Sequence, residues 1–214
     1  MPSAELARRV LKAPRRLPWE LRYELGRGLA SRARRQLILA THLHCHVEFG
    51  QNVTIGSDFT LDIPHAGSLV IGDEVQFRRG FHCEISGGGR VSIGAGTVFT
   101  AYGLIQCTTS IDIGSRCIFA QSAMIVDGNH RFRDPDLPIS EQGYEYTPIH
   151  IGDDAMILTK CTILNDVGKH SVIAAGSVVT KPIPAYCLAG GAPAKVLEYF
   201  GPPEMRPADA TLIP

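Results

Sequence analysis

The sequence has 214 residues, with 21 Lys and Arg against 21 Asp and Glu, and is 44% hydrophobic and 20% charged. This composition is ordinary for a globular protein. No apolar run reaches the roughly 18–20 residues that a membrane-spanning helix requires. The Arg-rich N-terminus lacks the apolar stretch and the small-residue cleavage site of a secretory signal. These features argue against a membrane-spanning or secreted protein, and we expect a cytoplasmic location.

The N-terminal arm, residues 1–45, differs in charge from the rest of the chain. Residues 1–40 contain ten basic and three acidic groups, a balance of +7, which leaves −7 for the remainder. Pro14 and Pro18 predict one or two short, interrupted amphipathic helices over residues 3–40. The arm is predicted either to cap the open edge of the domain that follows, which we favour, or to make peripheral contact with the inner face of an anionic membrane. We expect no nucleic-acid partner, because the basic residues are not interleaved with aromatic ones and the rest of the chain is acidic.

The cysteines and one histidine cluster are the candidate metal ligands of the sequence. The six cysteines form no CxxC pair, so we expect reduced thiols. The cluster of His42, His44, Cys45 and His46 would place three imidazoles on one face of a strand. No further ligand motif completes a site, so a polar first strand is the favoured interpretation and we predict no metal.

The strongest pattern is an internal repeat. An apolar residue, any residue and Ile-Gly precede a small or polar residue at positions 53–57, 69–73, 91–95, 111–115 and 149–153. From these phrases onward, apolar residues recur every six positions. They are Ile71, Phe77 and Cys83; Ile93, Phe99 and Ile105; Ile113, Phe119 and Ile125; Ile151, Ile157 and Ile163; and Val167, Ile173 and Val179. Because neither helical spacing nor simple strand alternation fits, the repeat predicts short strands joined by turns, three to a coil.

A second set of interior positions follows many of these residues by four places. Its members are Val75, Thr97, Cys117, Ala123, Ala155, Cys161, Ser171 and Ser177. Stacked coils would align both sets into interior ladders, with Gly and small polar residues at corners, where a positive φ costs least. Cys83, Cys117 and Cys161 occupy interior positions, so we interpret them as core residues and not as nucleophiles.

This pattern resembles the hexapeptide-repeat acyltransferases over about residues 50–200. The resemblance implies an all-β fold, a left-handed parallel β-helix, whereas the spacing alone predicts a β-solenoid without its hand. We therefore expect a basic helical arm over residues 1–45, the β-helix over residues 46–200 and a C-terminal tail over residues 201–214.

The repeat is interrupted by a polar, Pro- and Gly-containing excursion loop over residues 131–150, whose removal restores the six-residue spacing. His130 stands at its start, where a neutral imidazole could accept the proton of a hydroxyl; a surface histidine at a turn is the alternative. The segment 127–143 resembles the loop of the sugar and polysaccharide O-acetyltransferase branch, which implies that His130 is the general base. Glu141 or Asp127 would orient its ring.

The resemblance continues through residues 173–181 and 190–196 and implies a site for acetyl-CoA. The implied cofactor-binding residues are Thr159, Ala175, Thr180, Lys181 and Lys195. The two lysines would face phosphates, with two solvated surface lysines as the alternative. The backbone N–H of Thr159 would also act in catalysis, by stabilising the oxyanion.

Two features depart from the family pattern. Lactose- and maltose-type acetyltransferases carry an Asn one coil before the histidine to position the acceptor, and the stretch 99–103 contains no Asn. The identity of the acceptor therefore cannot be inferred from those enzymes. Between Ile163 and Val167 the spacing is four instead of six, so we expect a tightened coil near the cofactor.

Together these features predict an acetyl-CoA-dependent O-acetyltransferase that acetylates a hydroxyl of a sugar or polysaccharide precursor by direct attack on the thioester. The resemblance also implies a homotrimer in which the excursion loop reaches a neighbouring subunit. The alternatives are a xenobiotic or antibiotic O-acetyltransferase of the same fold and a noncatalytic β-solenoid scaffold.

Overall fold

The computed structural model describes residues 17–206, with side chains from residue 26 onward. This part of the chain contains a long helix, α1 (Leu17–Thr41), and short 3₁₀ helices at Ile139–Glu141 and Pro203–Met205. The strands, in chain order, are β1 (His46–Phe49), β2 (Thr54–Ile55), β3 (Thr60–Asp62), β4 (Ser68–Ile71), β5 (Gln76–Phe77), β6 (His82–Ile85), β7 (Arg90–Ile93), β8 (Val98–Phe99), β9 (Leu104–Cys107), β10 (Ser110–Ile113), β11 (Ile118–Phe119), β12 (Met124–Val126), β13 (Gly128–His130), β14 (Tyr144–Tyr146), β15 (Ile149–Ile151), β16 (Met156–Ile157), β17 (Thr162–Ile163), β18 (Val172–Ile173), β19 (Val178–Val179), β20 (Cys187–Gly191) and β21 (Ala194–Tyr199). Within residues 17–206, no helix combines the length and the apolar character needed to cross a membrane.

Three sheets form the walls of a coil. Sheet A has the order β1-β4-β7-β10-β15, sheet B the order β2-β5-β8-β11-β16-β18-β20-β21, and sheet C the order β19-β17-β12-β9-β6-β3. The chain passes from A to B to C and back to A, so each strand pairs in parallel with the strand one coil later. The last strand, β21, turns back antiparallel to β20. This architecture is the predicted β-solenoid.

The interior confirms the predicted ladders, because every residue of both interior sets is buried. On sheet B, Phe77, Phe99 and Phe119 stack with ring centroids 5.3 and 4.4 Å apart and ring planes 9° apart. Phe81 packs 4.6 Å from Phe77 and widens this aromatic core. Burying each such side chain contributes about 2 kcal/mol.

The six-residue spacing holds from sheet A to B and from B to C, but the return from C to A varies. Paired residues of successive coils are 22, 20, 38 and 16 residues apart. The pairs are Phe77 and Phe99, Phe99 and Phe119, Phe119 and Ile157, and Ile157 and Ile173. The excursion loop lengthens one return, and the predicted four-residue step from Ile163 to Val167 shortens another, with Val167 bridged to Ile151.

The glycines of the Ile-Gly phrases have a different role from the expected one. A Cβ atom on Gly114 would lie 2.5 Å from the backbone nitrogen of Asp153 in the next coil, so glycine permits close approach of the coils. Positive φ falls instead at other corner residues, including Tyr102, Arg116 and Lys160. Each of these donates its backbone N–H to the corner of the preceding coil, which offsets the strain. The corners therefore hold larger side chains in addition to the expected Gly and small polar residues.

Helix α1 covers the open edge of the first coil. The Ser31 hydroxyl accepts a hydrogen bond from the Ile55 N–H at 2.8 Å, and Arg34 donates to the Ile55 carbonyl at 3.0 Å. Ile38 of the same helix is part of the core. These contacts satisfy the backbone of an edge strand that would otherwise be exposed. The contacts of the described part of the arm agree with the capping role we favoured, which stays a prediction.

Pro18 does not interrupt this helix. Helix α1 begins at Leu17, and Pro18 lies in its first turn, where a missing N–H breaks no intrahelical hydrogen bond. The proline thus marks the start of the described helix, and any helix before Leu17 lies outside the described residues. Pro14 lies outside the described residues, and membrane contact by residues 1–40 stays a prediction.

Candidate functional site

The excursion loop and sheet C line an open cavity of about 410 Å³. The two ends of the loop pair as an antiparallel hairpin of β13 and β14. The lining residues are Glu84, Ser86, Gln106, Thr108, Val126, Asp127, Gly128, His130, Tyr144 and Tyr146. The cavity therefore combines residues from three successive coils with the hairpin that carries His130.

Pairing between coils positions the polar floor of the cavity. Glu84, Gln106 and Val126 are paired residues of β6, β9 and β12, so their side chains form one column on the outer face. Gln106 Nε2 donates to the Glu84 carboxylate at 3.1 Å. The Ser86 and Thr108 hydroxyl oxygens lie 3.1 Å apart beside this column. These groups can donate hydrogen bonds to, and accept them from, a hydroxyl-rich ligand.

Asp127 anchors the corner beneath the hairpin. Its carboxylate is buried and accepts hydrogen bonds from the Thr108 N–H at 2.9 Å, the Thr109 N–H at 2.6 Å and the Thr109 hydroxyl at 2.8 Å. Burial and this neighbouring carboxylate raise the pKa of the Cys107 thiol to about 12. Asp127 makes no hydrogen bond to the His130 ring in the described part of the chain. Its carboxylate orders the backbone between coils instead.

His130 lies on β13, directly opposite Tyr144 of β14. Their ring centroids are 4.3 Å apart, and Tyr144 stacks on Tyr146 at 5.8 Å with an interplanar angle of 13°. All three side chains are exposed. The expected loop began at residue 131, but the hairpin begins at Gly128. Strand pairing therefore holds the imidazole beside the cavity.

Glu141, the expected partner of the imidazole, lies in the 3₁₀ helix at the far end of the excursion loop. Its exposed side chain makes no hydrogen bond or ion pair with a described residue. Gln142 organises this loop by accepting from the Asp134 N–H and donating to the Asp134 and Leu137 carbonyls. The chain rejoins sheet A at Ile149, earlier than the predicted end of the loop. An orienting role for Glu141 stays a prediction.

Thr159 and Ala175 lie on the corner where the chain passes from sheet B to sheet C. They are therefore at the other end of the sheet C strands from the excursion loop. Their backbone N–H groups donate to no acceptor within residues 17–206, whereas the Thr159 carbonyl accepts from the Gly176 N–H at 2.9 Å. The N–H groups of Ala101 and Gln121, at the same corner of earlier coils, are also unpaired among the described residues. An available N–H is what the implied oxyanion and cofactor roles require, and those roles stay predictions.

The remaining implied cofactor residues are divided between two places. Thr180 and Lys181 follow β19 on the corner between sheets C and A, which also carries His130 two coils earlier. Coils spaced by about 4.8 Å separate these positions by roughly 10 Å along the axis. The Thr180 carbonyl accepts from Asn165 Nδ2 at 3.4 Å, and Lys181 is exposed. Lys195 is exposed on β21.

A single chain does not bring His130 and Thr159 together. The equivalent of Thr159 in the coil of His130 is Gln121, and six residues of mostly extended chain, roughly 20 Å, separate Gln121 from Asp127. A proton acceptor and an oxyanion donor must each lie within about 3 Å of their reacting atoms. Within one chain, these two residues therefore cannot serve the same acetyl group.

Sequence reasoning missed the floor of the cavity and the tyrosines of the hairpin. The stretch 99–103, expected to lie one coil before the histidine, lies instead on the corner between sheets B and C. The residue paired with Val126 one coil earlier is Gln106, whose carboxamide faces the cavity. Counting one 20-residue coil back from Val126 would have identified it.

The His42–His46 cluster serves the edge of the first coil. His44 Nε2 lies 2.7 Å from the Ile63 carbonyl oxygen, and His46 Nε2 lies 3.3 Å from the Glu48 carboxylate. Within the described residues, no three His, Cys, Asp or Glu side chains are grouped to hold a metal ion. The six cysteines are free thiols, and all except the half-buried Cys45 are buried.

Comparison with known proteins identifies acetyltransferase relatives. No family model matches the chain. It is 32% identical over 176 residues to "Probable acetyltransferase Rv3034c" of Mycobacterium tuberculosis, which covers 81% of this chain and 51% of that protein. It is 24% identical over 163 residues to WbbJ of Escherichia coli, named as a lipopolysaccharide biosynthesis O-acetyl transferase, with 72% of each protein covered. The chain thus spans about half the length of the first relative.

Solved structures share the fold. The hexapeptide-repeat acetyltransferase VCA0836 of Vibrio cholerae, complexed with acetyl coenzyme A, has a TM-score of 0.54 at 24% identity over 72% of each chain. The polySia-specific acetyltransferase NeuO has a TM-score of 0.55 at 21% identity, covering 79% of this chain and 88% of that one. A galactoside acetyltransferase in complex with coenzyme A has a TM-score of 0.54 at 26% identity, covering 61% and 64%. These likenesses confirm the predicted left-handed β-helix. By its repeats and its fold the chain is similar to the hexapeptide-repeat acetyltransferases, and its sequence is similar to that of acetyltransferases.

Proposed function

We propose that this protein is an acetyl-CoA-dependent O-acetyltransferase that acetylates a hydroxyl of a sugar or glycan. The observation that carries the proposal is the placement of the exposed His130 imidazole beside a polar cavity flanked by two tyrosine rings. The acetyltransferase relatives and the CoA-bound structural neighbours support the donor. The free cysteines agree with a cytoplasmic location, where thiols are kept reduced.

The cavity suits a neutral sugar. The nearly parallel rings of Tyr144 and Tyr146 offer apolar faces to the C–H groups of a pyranose. Glu84, Gln106 and the neighbouring hydroxyls offer hydrogen-bond partners to its hydroxyls. The described residues that line the cavity include two carboxylates and no Lys or Arg. A sugar that carries a carboxylate would therefore be repelled.

The reaction follows from these groups. When bound, acetyl-CoA supplies an activated acetyl thioester. The neutral His130 imidazole accepts the proton of the sugar hydroxyl as that oxygen attacks the acetyl carbonyl carbon. The Thr159 N–H donates to the carbonyl oxygen as negative charge develops there. The C–S bond then breaks, the proton passes from His130 to the departing thiolate, and the sugar ester is released.

The residues near the last coils fit the donor. Thr159 and Ala175 present available N–H groups on adjacent coils, which suits the amides of a pantetheine chain. Exposed Lys181 and Lys195 can face phosphates. Thr159 and His130 lie at opposite ends of the strands of sheet C. We therefore propose that each active site takes its histidine from one subunit and its N–H donor from a neighbour. A homotrimer provides such sites.

The test is acetyl transfer to a panel of neutral sugars, followed by mass spectrometry of the products. We expect His130→Ala to reduce kcat by about 10²- to 10⁴-fold while CoA binding is retained. The matched control is His150→Ala, an exposed histidine just beyond the excursion loop, which should leave kcat unchanged. Unchanged turnover in His130→Ala would disprove the proposed base. Acetylation of antibiotics alone would select the xenobiotic alternative, and no CoA binding would select a scaffold.

A further inference from the structure

A second cavity, of about 740 Å³, lies between helix α1 and the first two coils. The helix contributes small residues, Gly26 and Ala30, together with two arginines. The β-helix contributes the corner residues Arg78 and Arg79 and the neighbouring strand ends. This cavity, which we call the arginine groove, lies against sheet B, away from the His130 cavity on sheet C.

The arginine groove concentrates positive charge from two distant parts of the sequence. Arg27 and Arg34 belong to α1, whereas Arg78 and Arg79 belong to the second coil, and the described residues that line the groove include no Asp or Glu. The residues after position 40 carry a net charge of −7, so this local accumulation runs against the charge of the domain around it. Asp58, whose carboxylate lies 3.2 Å from Arg79 Nε, offsets part of this charge, and a bound anion would offset more of it.

The arginines retain hydrogen-bond donors for such an anion. Arg34 uses one nitrogen to donate to the Ile55 carbonyl at 3.0 Å, and Arg79 uses Nε to donate to Asp58 at 3.2 Å. A guanidinium has five N–H donors, so each side chain keeps several uncommitted. Arg78 is exposed at the groove. The groove thus offers planar, bidentate donors, which match phosphate oxygens.

Two glycines lie on the two walls of the arginine groove. A Cβ atom on Gly56 would lie 2.6 Å from the Arg78 carbonyl carbon, so this glycine permits close packing of the first two coils beneath the groove. On the opposite wall, Gly26 has no heavy atom within 4 Å of its hypothetical Cβ. The helix wall of the groove therefore leaves open space at Gly26, where a ligand can lie.

We propose that the arginine groove binds a phosphate-bearing anion, such as a pyrophosphate or a phospholipid headgroup, through Arg34, Arg78 and Arg79. This site is independent of the acetyl-transfer site. Its probe is inorganic pyrophosphate in isothermal titration calorimetry of the full chain. We expect saturable binding that weakens as salt is raised.

Substitution locates the bound anion. Arg78→Ala with Arg79→Ala should weaken pyrophosphate binding by at least about tenfold, because each lost charge-assisted pair contributes about a factor of ten. Arg78→Lys with Arg79→Lys keeps the charge but loses the bidentate geometry, and should weaken binding less. Arg32→Ala is the matched control, since Arg32 is an exposed arginine of the same helix outside the groove. It should change affinity by less than about twofold.

Vesicles distinguish the source of the phosphate. Binding to phosphatidylglycerol vesicles, absent for phosphatidylcholine vesicles and lost in the Arg78→Ala, Arg79→Ala variant, supports a lipid headgroup in the groove. Pyrophosphate binding without vesicle binding supports a soluble ligand. The proposal is overturned if neither probe binds, if the double variant binds like the wild type, or if Arg32→Ala loses as much affinity as the double variant.

Discussion

Asp127 and Thr109 are joined by two hydrogen bonds, one from the Thr109 N–H at 2.6 Å and one from its hydroxyl at 2.8 Å. The same carboxylate accepts from the Thr108 N–H. These bonds join successive coils directly below the hairpin that carries His130. The position of the imidazole therefore depends on a buried carboxylate that does not touch it.

Asp127→Asn should reduce both stability and turnover. The new amide NH₂ would face backbone N–H donors, so we expect a loss of about 1–3 kcal/mol in the free energy of unfolding. We also expect a fall in kcat larger than any change in KM for acetyl-CoA. Urea unfolding and steady-state kinetics measure these effects. Asp112→Asn, on the outer face of sheet A, is the control and should leave kcat unchanged. Wild-type stability and kcat in Asp127→Asn would contradict this role.

Two inactive variants should restore activity when mixed, if the site is shared between subunits. His130→Ala lacks the base, and Thr159→Pro lacks the backbone N–H. After unfolding and refolding together in equal amounts, about one quarter of the sites in a trimer pair an intact histidine with an intact N–H. We therefore expect about a quarter of wild-type turnover, with circular dichroism confirming that each variant folds. Zero activity from well-folded mixed oligomers would place both groups in one subunit or remove one from the mechanism.

Glu84 should discriminate against anionic acceptors. Galactose and galacturonate differ only at C6, so they isolate the effect of a carboxylate. We expect the wild type to favour galactose and Glu84→Gln to lower that preference by about tenfold, because one repulsive charge is removed. The ratio of kcat/KM for galactose to kcat/KM for galacturonate measures this preference. Glu145→Gln, on the same hairpin but outside the cavity lining, should keep the wild-type ratio. A wild-type preference for galacturonate would refute the neutral-acceptor assignment while leaving acetyl transfer intact.

Gly114→Ala should destabilise the β-helix. Its Cβ would lie 2.5 Å from the Asp153 nitrogen, which forces adjacent coils apart at an estimated cost of about 1–3 kcal/mol. Gly28→Ala is the contrasting variant, because this helical glycine has nothing within 4 Å of its hypothetical Cβ. It should stabilise α1 by up to about 1 kcal/mol. Thermal unfolding measures the loss of stability in Gly114→Ala and the gain in Gly28→Ala. Equal changes in stability in the two variants would contradict the close-approach role of Gly114.

The thiols should be largely unreactive in the native protein. Five of the six cysteines are buried, and burial raises the pKa of Cys107 to about 12. At pH 8 a thiol reagent should therefore modify Cys45 alone rapidly, and all six after unfolding. The raised pKa of Cys107 means that the folded protein favours the neutral thiol. The resulting contribution to the free energy of unfolding is present in full at pH values below the ordinary thiol pKa of about 8.5. That stabilisation is lost as the pH rises towards 12. Rapid native modification of several thiols would contradict the core assignment.

The interior of the coil could be predicted from the sequence because its pattern is local. Residues such as Ile71, Phe77 and Cys83 are six positions apart, and each must face inward to bury its side chain. His130 could be singled out because it stands at the interruption of this pattern. The glycine role could not be predicted, because the clash at Gly114 involves Asp153 in the next coil.

The cavity and the division of the site were decided by the tertiary structure. Glu84, Gln106 and Val126 meet because the return from sheet C to sheet A makes one coil 22 residues long and the next 20. The repeat aligns these three residues, since each follows the third interior residue of its coil, but only the structure shows that their column lines a cavity with the hairpin of β13 and β14. The structure also shows that His130 and Thr159 lie near opposite ends of the strands of sheet C. The sequence by itself determined which residues are buried, since burial follows the local repeat. Only the winding of the chain decided which exposed residues share a surface.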